Sequence, residues 1–129
     1  MADNDVFVYM NPNPDNKNVG DCTVRALSIA LNKSWEMIFL DLCLQAYMMR
    51  DMPSSNDVWG TYLQYKGWML RRLPDTCPLC YTVRDFCNEH NKGIYILGTG
   101  SHVICVKNGK YYDAWDSGTK VPLFYYEKG

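Results

Sequence analysis

The dipeptide Asn108-Gly109 limits what this chain can fold into more than any other feature. It stands between two apolar runs, SHVICVK and KYYDAW, and an Asn-Gly pair in that setting closes a two-residue hairpin because both residues tolerate positive φ. A loop of that length fixes the register, since residues pair symmetrically about it. Trp115 then falls opposite His102, and 111, 113 and 115 share the face of His102. GIYIL before the hairpin and VPLFYY after it share its period of two, so the last third of the chain reads as an antiparallel sheet.

The first two thirds have a different period. NPNPDNKN (11–18) is a proline and asparagine loop, and DCTVRALSIALNK after it is helical, with Cys22 in the first turn. Ser34 caps a second helix that runs to Met49 and, being apolar nearly throughout, reads as largely buried. Ser54 or Ser55 opens a third, ended by Gly67, and Thr82 opens a fourth, VRDFCNEH. GWMLRRLP lies between the last two as a short strand. The expected fold class is α+β, N-terminal helices packed on a C-terminal antiparallel sheet, in one domain over 1–129.

Composition narrows the function classes. Hydrophobic residues make up 47% and charged residues 21% of the 129, which suits an ordinary globular core. A formal net charge of -1 with interspersed signs provides no basic field for nucleic acid. No stretch approaches the ~20 apolar residues of a membrane span, and MADNDVFVYM lacks an export signal, so the chain reads as cytoplasmic with its six cysteines reduced.

The residues that carry chemistry are a cysteine, a histidine and an aspartate. A thiol at a helix start, beside a histidine, is stabilised as thiolate and becomes a nucleophile. Cys22 has the helix position. Of the two histidines, His90 closes a helix and suits its dipole, whereas His102 starts an apolar strand where a polar residue needs a reason. The hairpin register makes Asp113 the diagonal neighbour of His102, placed to fix the imidazole tautomer. A bulge would shift that role to Asp116, which otherwise reads as a turn former.

The order Cys22, His102, Asp113 on these elements is similar to that of the papain-like cysteine peptidases. Asp113-Ala114-Trp115 resembles their Asn-Ser-Trp, and Gly20-Asp21-Cys22 resembles the Asp-Cys of the peptidases that trim bacteriocin leaders. The resemblance implies a papain-like fold and a cysteine hydrolase that cleaves peptide or isopeptide bonds through a thioester, with a peptide or protein substrate and no cofactor. It implies that Trp115 shields the orienting carboxylate. It also implies an oxyanion donor six residues before the nucleophile, which is Asn16, with Asn13 or Asn18 as alternatives to this short amide. The rival reading is a non-catalytic binding module on the same fold.

Two further groups of residues stand apart from that order. Cys77, Cys80, Cys87 and His90 have the residue types of a structural zinc site, though their spacing is shorter than usual; the alternative is reduced thiols around a helix start. Met48, Met49, Met52 and Met69 read as gap fillers of a core, and Cys43 and Cys105 as inert packing.

Overall fold

The computed structural model describes residues 6–74, 76 and 79–128. Its elements are, in chain order, β1 (Phe7–Tyr9), α1 (Cys22–Leu31), α2 (Trp35–Met49), α3 (Asn56–Tyr65), β2 (Trp68–Arg72), α4 (Val83–Glu89), β3 (Ile94–Gly98), β4 (Val103–Lys107), β5 (Lys110–Asp113) and β6 (Phe124–Lys128). This is a mixed α+β fold with a six-stranded sheet in the order β1-β5-β4-β3-β6-β2.

Local chemistry sets the helix limits. Ser34 accepts a hydrogen bond from Met37 N at 3.1 Å to start α2, and Thr82 forms a reciprocal capping box with Asp85 to start α4. Asn32 and Arg50 end α1 and α2 in the left-handed conformation. Asn108 and Gly109 both have positive φ, at 50° and 80°, as a type I′ turn requires. The register that follows pairs Lys107 with Lys110, Val106 with Tyr111 and Cys105 with Tyr112.

Alternation along β4 sends side chains to two cores. Val103 and Cys105, with Ile96 and Tyr126, pack under α1, α2 and α3 against Leu27, Ile38, Trp59 and Leu63. Ile104 and Val106, with Leu97 and Tyr111, face the other way and meet Val83 and Phe86 of α4. Each fully buried aliphatic side chain here stabilises by about 1.5–3 kcal/mol. Helices therefore cover both faces of the sheet.

The structure corrects four expectations. The sheet is mixed, because β1 pairs in parallel with β5, Phe7 opposite Tyr111 and Tyr9 opposite Asp113. It is not wholly C-terminal either, since β1 and β2 form its two edges. A three-residue strand carries no readable period, and its pairing is wholly non-local. The second helix is not largely buried: Met37, Leu40, Leu44, Tyr47 and Met48 are exposed while Ile38, Leu42 and Ala46 are enclosed. Met48, Met52 and Met69 are likewise exposed and fill no gap in a core. Hydropathy alone does not distinguish which side of an apolar helix meets a neighbour.

Candidate functional site

The site forms where the start of α1 meets one end of β4 and β5. Cys22 is the first residue of α1, and no side chain caps that helix, because the carboxylate of Asp21 is turned away to other partners. The first N–H groups of α1 are thus left beside the sulfur. His102 stands just before β4, in a turn held by Thr99, whose Oγ1 accepts from His102 N at 2.9 Å while Thr99 N donates to His102 O at 2.8 Å. Asp113 is the last residue of β5.

These elements bring Cys22, His102 and Asp113 into one chain of contacts. His102 Nε2 lies 2.7 Å from Asp113 Oδ2, and both side chains are buried. The Cys22 thiol is hydrogen-bonded to the same imidazole and also receives the Val103 N–H. Since Nε2 is engaged with Asp113, Nδ1 is the ring nitrogen left for the sulfur. Asp116 takes no part: it is bonded to the hydroxyl of Tyr111, to Arg84 Nη2 at 2.8 Å and to Gly118 N at 3.0 Å.

The electrostatics favour an ion pair. Burial opposes charge on Cys22, but the bonds from His102 and Val103 N and the positive charges of His102 and Arg25 outweigh it, and the thiol pKa falls below its ordinary value. Burial also opposes charge on His102. Its bonds to Asp113 and Cys22 overcome this and raise it from 6.5 to about 9. Asp113 is held below the ordinary carboxylate value, since His102 and Ser117 outweigh burial. Imidazolium and carboxylate therefore coexist at neutral pH, and the same contacts shift Cys22 toward its thiolate.

Three supporting residues, Arg25, Ser117 and Thr99, escaped the sequence reading, and a fourth, Asp21, was read there only as part of its motif. Arg25, buried in α1, is bonded to Asp21 and reaches Asp113 Oδ1 at 3.3 Å. Asp21 in turn accepts from Asn13 Nδ2 at 3.2 Å and from Trp35 Nε1 at 2.9 Å. Ser117 Oγ donates to Asp113 Oδ2 at 2.6 Å, and Thr99 shapes the histidine turn. Arg25 alone had a signal: an arginine inside an apolar helix, one turn after the cysteine, needs a buried partner.

Trp115 lies against His102, ring centroids 4.7 Å apart and tilted by 36°, with the amine of Lys120 5.7 Å from its ring centre. Asn16 is placed elsewhere. Its Oδ1 accepts from Asn11 Nδ2 at 3.1 Å and from the Tyr9 hydroxyl at 3.4 Å. With Arg25 and Trp115 it lines a cavity of about 450 Å³ whose lining does not include Cys22. Its positive φ of 54° explains the displacement, because that turn faces the amide toward β1. Asn13 is committed to Asp21 through its amide nitrogen.

Two depressions meet at Cys22's helix. One, of about 410 Å³, has Cys22 and His102 in its wall together with Ser54, Asn56, Gly100 and Ser101. The other, of about 400 Å³, shares Gly20, Thr23 and Ser54 with the first and is walled by Trp35, Phe39 and Met52. A polar cleft thus continues into an apolar groove.

Of the four suggested zinc ligands, Cys77 lies outside the described residues. Burial pushes the Cys87 thiol up to about 12, and His90 is stacked on Phe86 with Nδ1 3.0 Å from Phe86 O. Among the described residues, no three His, Cys, Asp or Glu side chains are grouped to hold a metal. No helix among them is long and apolar enough to cross a membrane. No protein-family model, curated protein or solved structure matches this chain.

Proposed function

We propose that the chain is a papain-like cysteine hydrolase that cleaves a peptide or isopeptide bond. The observation that carries this reading is the continuous contact from the Cys22 sulfur through the His102 imidazole to Asp113, at the wall of an open cleft. The Cys22 thiolate attacks the scissile carbonyl carbon, and the negative charge that develops on the oxygen is met by N–H groups at the start of α1. The His102 imidazolium then gives its proton to the leaving amine, and a thioester remains on Cys22. Water adds to the thioester with His102 as base, releasing the acid and restoring the thiolate. Asp113 keeps the imidazole in orientation and supports its positive charge throughout.

A second reading, a binding module without turnover, is favoured by the placement of Asn16, whose amide oxygen is bonded to Asn11 and Tyr9 and which is not among the residues lining the cleft of Cys22. Losing one such donor typically costs about 10²–10³ in turnover. One experiment separates the two. The protein is incubated with a mixture of short peptides and, separately, with an activated peptide ester, and products and Cys22 acylation are followed by mass spectrometry. Hydrolysis that Cys22→Ala and His102→Ala abolish supports the enzyme. Peptide binding with neither acylation nor cleavage supports the module.

A further inference from the structure

Helix α2 has two apolar faces, and the site uses neither of them fully. Ile38, Leu42 and Ala46 are buried on the inner face. On the opposite face Met37, Leu40, Leu44 and Tyr47 follow one another at intervals of three, four and three, with exposures of 50%, 65%, 59% and 69%. That is the a/d spacing of a helix-pairing seam, in contrast to the scattered apolar residues of an ordinary surface. Met48 adjoins the row and is equally exposed. Trp35 and Phe39, which line the apolar groove, lie off this seam.

We propose that a second copy of this chain covers the seam, α2 packing antiparallel on α2 about a twofold axis. Antiparallel pairing sets Leu40 of one copy against Leu44 of the other and Met37 against Tyr47, so every exposed apolar side chain of the row meets another. Charge decides the direction. Glu36 at the start of the helix and Arg50 at its end are both exposed and flank the same edge of the seam. Antiparallel copies bring each Glu36 beside the other copy's Arg50, twice per dimer, whereas parallel copies would leave Glu36 and Arg50 at opposite ends of the seam, unpaired. Arg50 is already held at the seam's end, its guanidinium 4.9 Å from the Tyr47 ring centre and Nη1 2.7 Å from Tyr47 O. Helix dipoles also oppose favourably in this arrangement. A formal net charge of -1 leaves little repulsion between copies. With two heptads of contact the dimer is weak and forms with concentration.

Sedimentation velocity of the whole chain between about 1 and about 500 µM tests this. The expected result is a mass rising from 14.9 kDa toward twice that value. Leu40→Glu/Leu44→Glu should hold it at the monomer. Glu36→Arg and Arg50→Glu should each raise the dissociation constant about tenfold, and the two together should return it to near wild type. Circular dichroism and alkylation of Cys22 confirm that each variant is folded, which is expected because all four positions are exposed. A wild-type monomer over the whole range, or a dimer indifferent to the leucine pair, overturns the proposal. A dimer that the leucine pair abolishes, but in which the two charge changes fail to compensate, overturns its antiparallel register.

Discussion

Ser117 Oγ donates to Asp113 Oδ2, the same carboxylate oxygen that faces His102 Nε2. The serine is fully enclosed, so its hydroxyl has no water to turn to. Removing it frees the carboxylate to rotate about its remaining bonds to Ala114 N and Arg25. Ser117→Ala is expected to cost about 1–3 kcal/mol in urea unfolding and to slow alkylation of Cys22 severalfold at mildly acidic pH. An unchanged alkylation rate would mean that Asp113 is positioned without it.

The two aspartates of this strand end should behave differently. Asp113→Ala removes the partner of His102 and leaves Arg25 with Asp21 alone, so it should lower hydrolysis or Cys22 alkylation per folded molecule by on the order of 10² or more. It should also cost about 3–5 kcal/mol as a broken buried pair. Asp116→Ala touches only Tyr111, Arg84 and Gly118, and should change the rate by less than about threefold. Loss from Asp116→Ala alone would refute the assignment.

The pH behaviour follows from the direction of each shift. Asp113 lies below 3.8, so its contribution to stability is in place above that value and lost as pH falls through the lower folded pKa. His102, raised from 6.5 to about 9, contributes fully below 6.5 and loses its contribution as pH rises through about 9. Cys22, lowered from 9.0, contributes above that pH and loses its contribution as pH falls through its folded value. The last two run in opposite directions below pH 9, so wild-type stability should change less between 6.5 and 9 than that of Cys22→Ala, which should lose stability as pH rises. Urea unfolding across that range checks both. Iodoacetamide near pH 6 should label Cys22 and spare Cys87 and Cys105, whose burial pushes them up to about 12; labelling of all three alike would contradict the ion pair.

Gly98 closes β3 one residue before Thr99, and a Cβ there would run into the Phe124 ring. Gly98→Ala should cost about 1–3 kcal/mol and, by shifting the Thr99 turn, slow Cys22 alkylation as well. Gly100, with open space around it, accepts alanine at little cost to stability. Equal unfolding midpoints for the two variants would show that Phe124 yields.

Local rules made much of this readable beforehand. Asn108-Gly109 sets a register that carries as far as Tyr112, one residue short of Asp113, and Ser34, Thr82 and Gly67 mark helix ends through their own short-range bonds. What escaped depends on partners distant in sequence. The ion pair of Arg25 with Asp113 links α1 to β5, β1 exists only because β5 offers it an edge, and the outer face of α2 is exposed, which no local pattern foretells. Counting back six residues from the cysteine ignores the turn at Asn16, whose φ is positive and whose amide is bonded to Asn11 and Tyr9.

The groups that activate Cys22 come from far downstream: His102 supplies the ring and Val103 the N–H that meets the sulfur. During synthesis α1 leaves the ribosome long before β4 exists, and at ordinary elongation speed the interval is on the order of seconds. Through that interval the cysteine is an ordinary protonated thiol, chemically quiet amid the crowded nascent chains and slow to oxidise or to attack them. In the proposed hydrolase, reactivity is switched on only when the hairpin of β4 and β5 closes. The distance along the chain between sulfur and imidazole would then act as a timer, delaying nucleophilicity until the cleft that directs it has been built.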